Sequence, residues 1–118
     1  MPRFLIYLTL PAVELIRPAA LVRGVSKVAL GVERSRAGDG GFYKAYRRAG
    51  GDPDKLSDYW IQKRDAFIAR HRAQMRERGS NGWEKVGGEW RPTRQHLALA
   101  AWAYSPSPDR LIRWAESQ

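Results

Sequence analysis

The chain has 118 residues and a formal charge of +9, with 21 basic residues against 12 acidic ones, and 16 of the basic residues are arginine. That length excludes two domains of ordinary size, and an apolar content of 43% with five tryptophans excludes a disordered tail. The lack of cysteine excludes disulfides, thiolate nucleophiles and sulfur-ligated zinc, and His71 and His96 alone are too few for a structural metal site, so neither metal nor cofactor is expected.

Residues 4–22 are strongly apolar but are interrupted by Pro11, Glu14, Arg17 and Pro18. The clean run from Phe4 to Val13 is too short to span a bilayer, and no small-residue cleavage site follows it, so no secretion leader is expected. Residues 3–10 alternate on no single face and are expected to be buried on both sides, either as a strand or against a partner. Leu21, Val25, Val28 and Val32 then form one helical stripe opposite Arg23, Lys27 and Arg34, and the glycines of residues 38–41 end that helix. A short segment holding Phe42, Tyr43, Lys44, Tyr46, Arg47 and Arg48 closes at Gly50 and Gly51.

The clearest helix starts at Asp52-Pro53 or at Ser57, each a sensible cap, and ends at Gly79. Leu56, Trp60, Ile61, Phe67, Ile68 and Met75 share its broad apolar face, with Arg64 and His71 inside that arc, and Ala66, Ala69 and Ala73 form a second, smooth face. Trp83–Arg91 reads as a β-hairpin turning at Gly87-Gly88, with Glu84 opposite Arg91 and Lys85 opposite Trp90. Thr93 caps a helix from Arg94 to about Tyr104 that is apolar all round, and Ser107 caps a last one with Leu111, Ile112 and Trp114. The expected fold is mainly α: one compact domain over residues 1–118, of about four helices and one small β-hairpin, or α+β if residues 3–10 form a strand.

Lys63-Arg64, Phe67, Arg70-His71, Thr93-Arg94, Leu97-Ala98-Leu99 and Trp102 resemble a small domain of unknown function found in proteins of bacteriophages and large DNA viruses. The resemblance covers about a third of the chain, with Ile68 where a cysteine often stands, and it implies no activity. It implies a phage origin, where small basic proteins without enzymatic motifs are often virion components or host-directed inhibitors.

Two segments pair cations with the means to hold nucleic acid. Lys44, Arg47 and Arg48 are expected to meet phosphates while Tyr43 and Tyr46 stack on bases; the alternative is rings packed on the core. Arg70, Arg72, Arg76 and Arg78 form the densest cationic run, read either as a phosphate-contacting ridge or as a solvated terminus that the helix dipole favours. Arg64, His71 and His96 lack a nucleophile or metal to complete a catalytic set, and Asp52, Asp54 and Asp58 read as helix-capping acids, so no enzyme is expected. Trp60, Trp102 and Trp114 fall on core faces, whereas Trp83 and Trp90 share one hairpin face and are candidates for partner binding.

The expected function is therefore non-enzymatic binding of DNA or RNA through the phosphate backbone without base specificity, as a structural or internal component in a phage virion or host cytoplasm. The alternative is a protein-binding module, an inhibitor or assembly subunit that docks on an acidic protein or on itself through its apolar N-terminus and hairpin tryptophans. Attachment to anionic membranes through the valine-striped helix is a third and weaker reading.

Overall fold

The computed structural model describes residues 3–23 and 41–118. The first helix, α1 (Leu10–Val22), is capped by Thr9, whose side chain accepts the Ala12 N–H, and Pro11 stands in the first turn, where a missing N–H leaves no bond unmade. Ala12, Val13, Ile16 and Ala20 form its buried stripe. The helix expected to begin at Leu21 thus meets a different outcome: Leu21 and Val22 end α1, and Val25, Val28 and Val32 lie outside the described residues. The glycines at 38–40 lie outside them too.

Helix α2 (Gly41–Arg48) buries Phe42, Ala45 and Tyr46 and turns Lys44, Arg47 and Arg48 outward. A 3₁₀ turn at Pro53–Lys55 follows, capped by the Asp52 carboxylate, which accepts the Asp54 N–H at 3.0 Å. Ser57 caps the long helix α3 (Asp58–Arg78), which ends at Gly79 in the left-handed conformation. Strands β1 (Trp83–Val86) and β2 (Glu89–Pro92) pair in the expected register, Glu84 opposite Arg91 and Lys85 opposite Trp90. Both turn glycines have positive φ, 59° and 82°, as a type I′ hairpin requires.

Thr93 caps α4 (Arg94–Ala100), which ends short of Tyr104 because the chain reverses through Ala103 at a φ of 58°. The last helix, α5 (Pro108–Glu116), follows Ser107, whose hydroxyl does not cap it as expected but accepts the Trp83 indole N–H at 2.9 Å. The protein is the expected mainly helical compact domain, with five α-helices and a two-stranded hairpin among the described residues. None of the helices described is long and apolar enough to cross a membrane.

Helix α1 packs on α4 and α5, while α3 packs on α4 and α2. A column of rings runs through the core: Tyr46 on Phe42 at 5.5 Å, Phe42 on Trp102 at 5.2 Å, and Trp102 on Phe67 at 4.8 Å. His71 continues the column at 4.2 Å from Phe67 and is only half-buried, so it brings the stack to the surface.

The N-terminal segment departs from expectation, since residues 3–9 form no strand and Leu5 and Ile6 are 73% and 75% exposed. Its alternate residues are held by their backbone. Arg64 donates to the Phe4 and Ile6 carbonyls, the Leu8 N–H donates to Ala103 O at 2.8 Å, and the Tyr46 hydroxyl donates to Leu8 O. Side-chain donors and one turn carbonyl thus replace the neighbouring strand. Two polar groups of α3 and α4 are buried with partners. Arg64 is fully buried among carbonyls, and His96 is fully buried between Gly82 O and Ser105 Oγ.

Candidate nucleic-acid interface

The four arginines near the end of α3 do not form one ridge. At about 100° per residue, Arg72 and Arg76 lie within about 40° of each other, while Arg70 and Arg78 lie on a different side. Arg72 and Arg76 accordingly line a cavity against the start of α5, Arg78 lines a groove against α4 and the hairpin, and Arg70 lines neither.

That groove has a volume of about 670 Å³. Its walls carry Arg23 from the end of α1, Arg78 from α3, Arg91 from β2 and Arg94 from α4. Glu84 is the one acid lining it, and it lies 3.6 Å from both Arg23 and Arg91, so the groove keeps a surplus of three positive charges. Two of the cations are positioned by main-chain acceptors. Arg23 Nη1 donates to Pro92 O at 2.9 Å, and Arg94 Nε donates to Arg23 O at 3.1 Å.

A fixed polar network crosses the floor. The Gln95 amide nitrogen donates to Gln74 Oε1 at 2.8 Å and to His71 Nδ1 at 2.9 Å, and its oxygen accepts from Arg78 at 3.3 Å. An amide nitrogen only donates, so His71 Nδ1 is the acceptor and the neutral ring carries its proton on Nε2. Burial, with Arg70 and Arg78 nearby, holds the His71 pKa below its ordinary value. The groove therefore presents a neutral imidazole, stacked on Phe67, among cations.

In α2 the alternative placement holds for Tyr46, whose ring packs in the core while the cations face water. Lys44, Arg47 and Arg48 are exposed and line a shallow depression of about 340 Å³, but they line neither the groove nor the α5 cavity. Tyr46 does not offer its ring to a base, because it is 1% exposed and bonded to Leu8 O. Tyr43 is half-buried, and the Arg17 guanidinium lies 3.7 Å above its ring centroid, covering the face a base would use. Trp83 is likewise no partner anchor: it is buried, edge-on to His96 at 5.4 Å, with Arg110 at 4.0 Å over its ring. Trp90, at 53% exposed, is the hairpin tryptophan that remains available.

His96 organises the neighbouring loop. A backbone carbonyl only accepts, so His96 donates from Nδ1 to Gly82 O at 2.9 Å, and its Nε2 accepts the Ser105 hydroxyl at 2.7 Å. Gly82 has a φ of 91°, and a Cβ there would stand 2.9 Å from His96 Nδ1. Gly82→Ala is therefore expected to lower stability by about 2 kcal/mol or more, through backbone strain and overpacking together. A urea denaturation midpoint equal to that of the parent chain would refute this account of the loop.

Sequence reasoning missed Arg23, Arg91, Arg94 and Arg110 as site residues, because they come from separate elements and no local run marks them. A partial signal was present on α3, where Phe67, His71, Gln74 and Arg78 follow helical spacing and share one stripe.

No family model, curated protein or solved structure matches the chain. What it binds is therefore inferred from the chemistry of these surfaces. Among the described residues, no group of three or more histidines and acids could hold a metal ion.

Proposed function

We propose that the chain binds nucleic acid without catalysing a reaction on it, through phosphate contacts that carry no base specificity. The groove carries this reading: Arg23, Arg78, Arg91 and Arg94 converge on a half-exposed stacked imidazole with one carboxylate between them. Cations beside a ring-lined floor suit a phosphate backbone with an adjacent base or sugar face. The resemblance of residues 63–71 and 93–102 to the phage and DNA-virus domain favours a virion or host-cytoplasm setting, as a structural or internal component. Lys44, Arg47 and Arg48 add a second basic surface on α2.

Fluorescence anisotropy with single- and double-stranded DNA and RNA, over a salt series, tests the reading. Affinity should fall steeply with salt and vary little with base sequence. The double variant Arg78→Gln, Arg94→Gln should bind at least tenfold more weakly and reduce the log–log salt slope by about 1.5. Absence of binding at low salt, or binding indifferent to salt, overturns it.

A second reading, self-association through the N-terminal segment, is favoured by the exposure of Leu5 and Ile6. The same samples separate the two: a mass in solution that rises with concentration, in a chain that ignores DNA and RNA, supports the second.

A further inference from the structure

A separate cavity of about 350 Å³ lies between the second half of α3, the loop at Ser80–Gly82 and the turn into α5. Three guanidinium groups line it, Arg72 and Arg76 from α3 and Arg110 from α5, and no carboxylate does. Its neutral polar side chains each use an oxygen to accept a bond from the protein itself. Ser80 Oγ already accepts the Gly82 N–H at 3.1 Å, Asn81 Oδ1 accepts the Trp83 N–H at 3.0 Å, and Ser107 Oγ accepts the Trp83 indole N–H at 2.9 Å. What each retains to donate is its hydroxyl proton or its amide NH₂ group. Such a lining offers donors from several directions, and its side-chain acceptors are neutral oxygens that each already accept one bond.

The walls are held before any ligand arrives. Arg110 is stacked at 4.0 Å on the buried Trp83 ring, and Arg72 Nη1 donates to the Tyr104 hydroxyl at 2.9 Å. His96 ties Gly82 on one side to Ser105 on the other. Arg76 enters none of the ion pairs among the described residues and is exposed, so its charge is uncompensated.

We propose that this cavity is a binding site for a phosphate monoester, with Arg72, Arg76 and Arg110 gripping its terminal oxygens. A monoester presents three terminal oxygens and close to two negative charges, whereas a backbone diester presents two oxygens and one charge. Three converging guanidinium groups match the former. The volume is at the lower end of small-ligand sites, about 300–1,000 Å³, and holds a phosphate with part of what it esterifies. Resting on the nucleic-acid reading above, the natural source is the terminal phosphate of a strand; a free phosphate is the other source of the same chemistry.

Two titrations test the site and its ligand separately. Inorganic phosphate added to ¹⁵N-labelled protein at constant ionic strength should shift the Trp83 indole N–H resonance saturably, because that group is bonded to Ser107 on the cavity wall, and chloride should not. An oligonucleotide carrying a 5′-phosphate should bind at least fivefold more tightly than its 5′-hydroxyl counterpart. Arg76→Gln with Arg110→Gln should abolish both effects, and Arg76→Gln alone, which disturbs no stacked ring, should weaken both. Failure of phosphate to move the Trp83 resonance overturns the site. A phosphate-dependent shift with equal affinity for the two oligonucleotides keeps the site and overturns the strand-end source. A shift with neither oligonucleotide bound keeps the site and overturns the nucleic-acid reading.

Discussion

Replacing Arg64 by alanine is expected to cost about 3–5 kcal/mol, the scale seen when a buried, fully bonded charge loses its role. That is a large share of the 5–15 kcal/mol that typically holds a domain together. The Arg64 side chain is fully buried, and its guanidinium reaches four carbonyls: Trp102 O from Nε at 2.7 Å, Phe4 O from Nη1 at 2.6 Å, and Ile6 O and Ala103 O from Nη2 at 3.0 and 2.9 Å. Two of these belong to the N-terminal segment and two to the turn after α4, so one side chain joins three parts of the chain. Its Cζ lies 3.5 Å from the Tyr7 ring centroid, and the Asp65 carboxylate lies 4.0 Å from Nη1.

The truncation would take the donor from the Trp102, Phe4 and Ile6 carbonyls and leave Ala103 O with the Leu8 N–H alone, and each carbonyl left unpaired away from water costs about 1–3 kcal/mol before the structure relaxes. Ala103 would also lose one of the two bonds that hold its left-handed backbone, the other being the Leu8 N–H. Arg64→Lys keeps the charge, but three donors on one nitrogen cannot reach four carbonyls spread around a plane, so it should recover only part of the loss. Urea unfolding followed by circular dichroism measures this. A parent-like midpoint for the alanine variant would show that the carbonyls find other partners and that the segment is not held by Arg64.

This arginine also marks what was legible in the sequence. Its helical spacing places Arg64 on the apolar arc of α3, which is correct, but periodicity says nothing of the carbonyls of Phe4 and Trp102 that make the burial tolerable. Caps read well because they are local: Ser57 and Thr93 each accept an N–H three residues on, and Gly79 takes the left-handed position. The hairpin register reads equally well, because two glycines fix a two-residue turn. Helix α1 was hidden by its prolines, which read as interruptions although Pro11 fits a first turn, while the stripe at Val13, Ile16 and Ala20 was present all along.

The site was less legible than the fold. Net charge pointed to an anionic partner, and the run from Arg70 to Arg78 pointed to α3, yet the helix period sends Arg72 and Arg76 to one concavity, Arg78 to another and Arg70 to neither. The remaining walls come from Arg23, Arg91, Arg94 and Arg110, brought in by tertiary packing alone.

Stability should fall by on the order of 3 kcal/mol as pH drops from 6.5 to about 4, through His96. Burial pushes its pKa from the ordinary 6.5 down to about 4; the bond to Gly82 O opposes the shift and the charge of Arg110 adds to it. Between those two values the unfolded chain binds a proton that the folded chain refuses. Acidification through that window therefore favours unfolding; below about pH 4 both states are protonated and the contribution levels off. The refusal has a structural source: the neutral ring accepts the Ser105 hydroxyl at Nε2 in a fully buried position, where a second ring proton would meet the charge of Arg110. His71 is shifted in the same direction, but it is half-exposed at the groove, so its share is smaller and His71→Gln should preserve most of the slope. Urea midpoints at half-unit steps from pH 7.5 to 3.5, with an NMR titration of the His96 ring, separate the two. A ring that titrates near 6.5 in the folded protein would sink the assignment. The same protonation pulls at both walls of the α5 cavity, because Gly82 and Ser105 are both bonded to this imidazole. Loosening around Ser80, Asn81 and Ser107 should therefore precede global unfolding, and faster amide exchange in residues 80–83 and 105–107 than in α3 as pH falls toward 4 would record it.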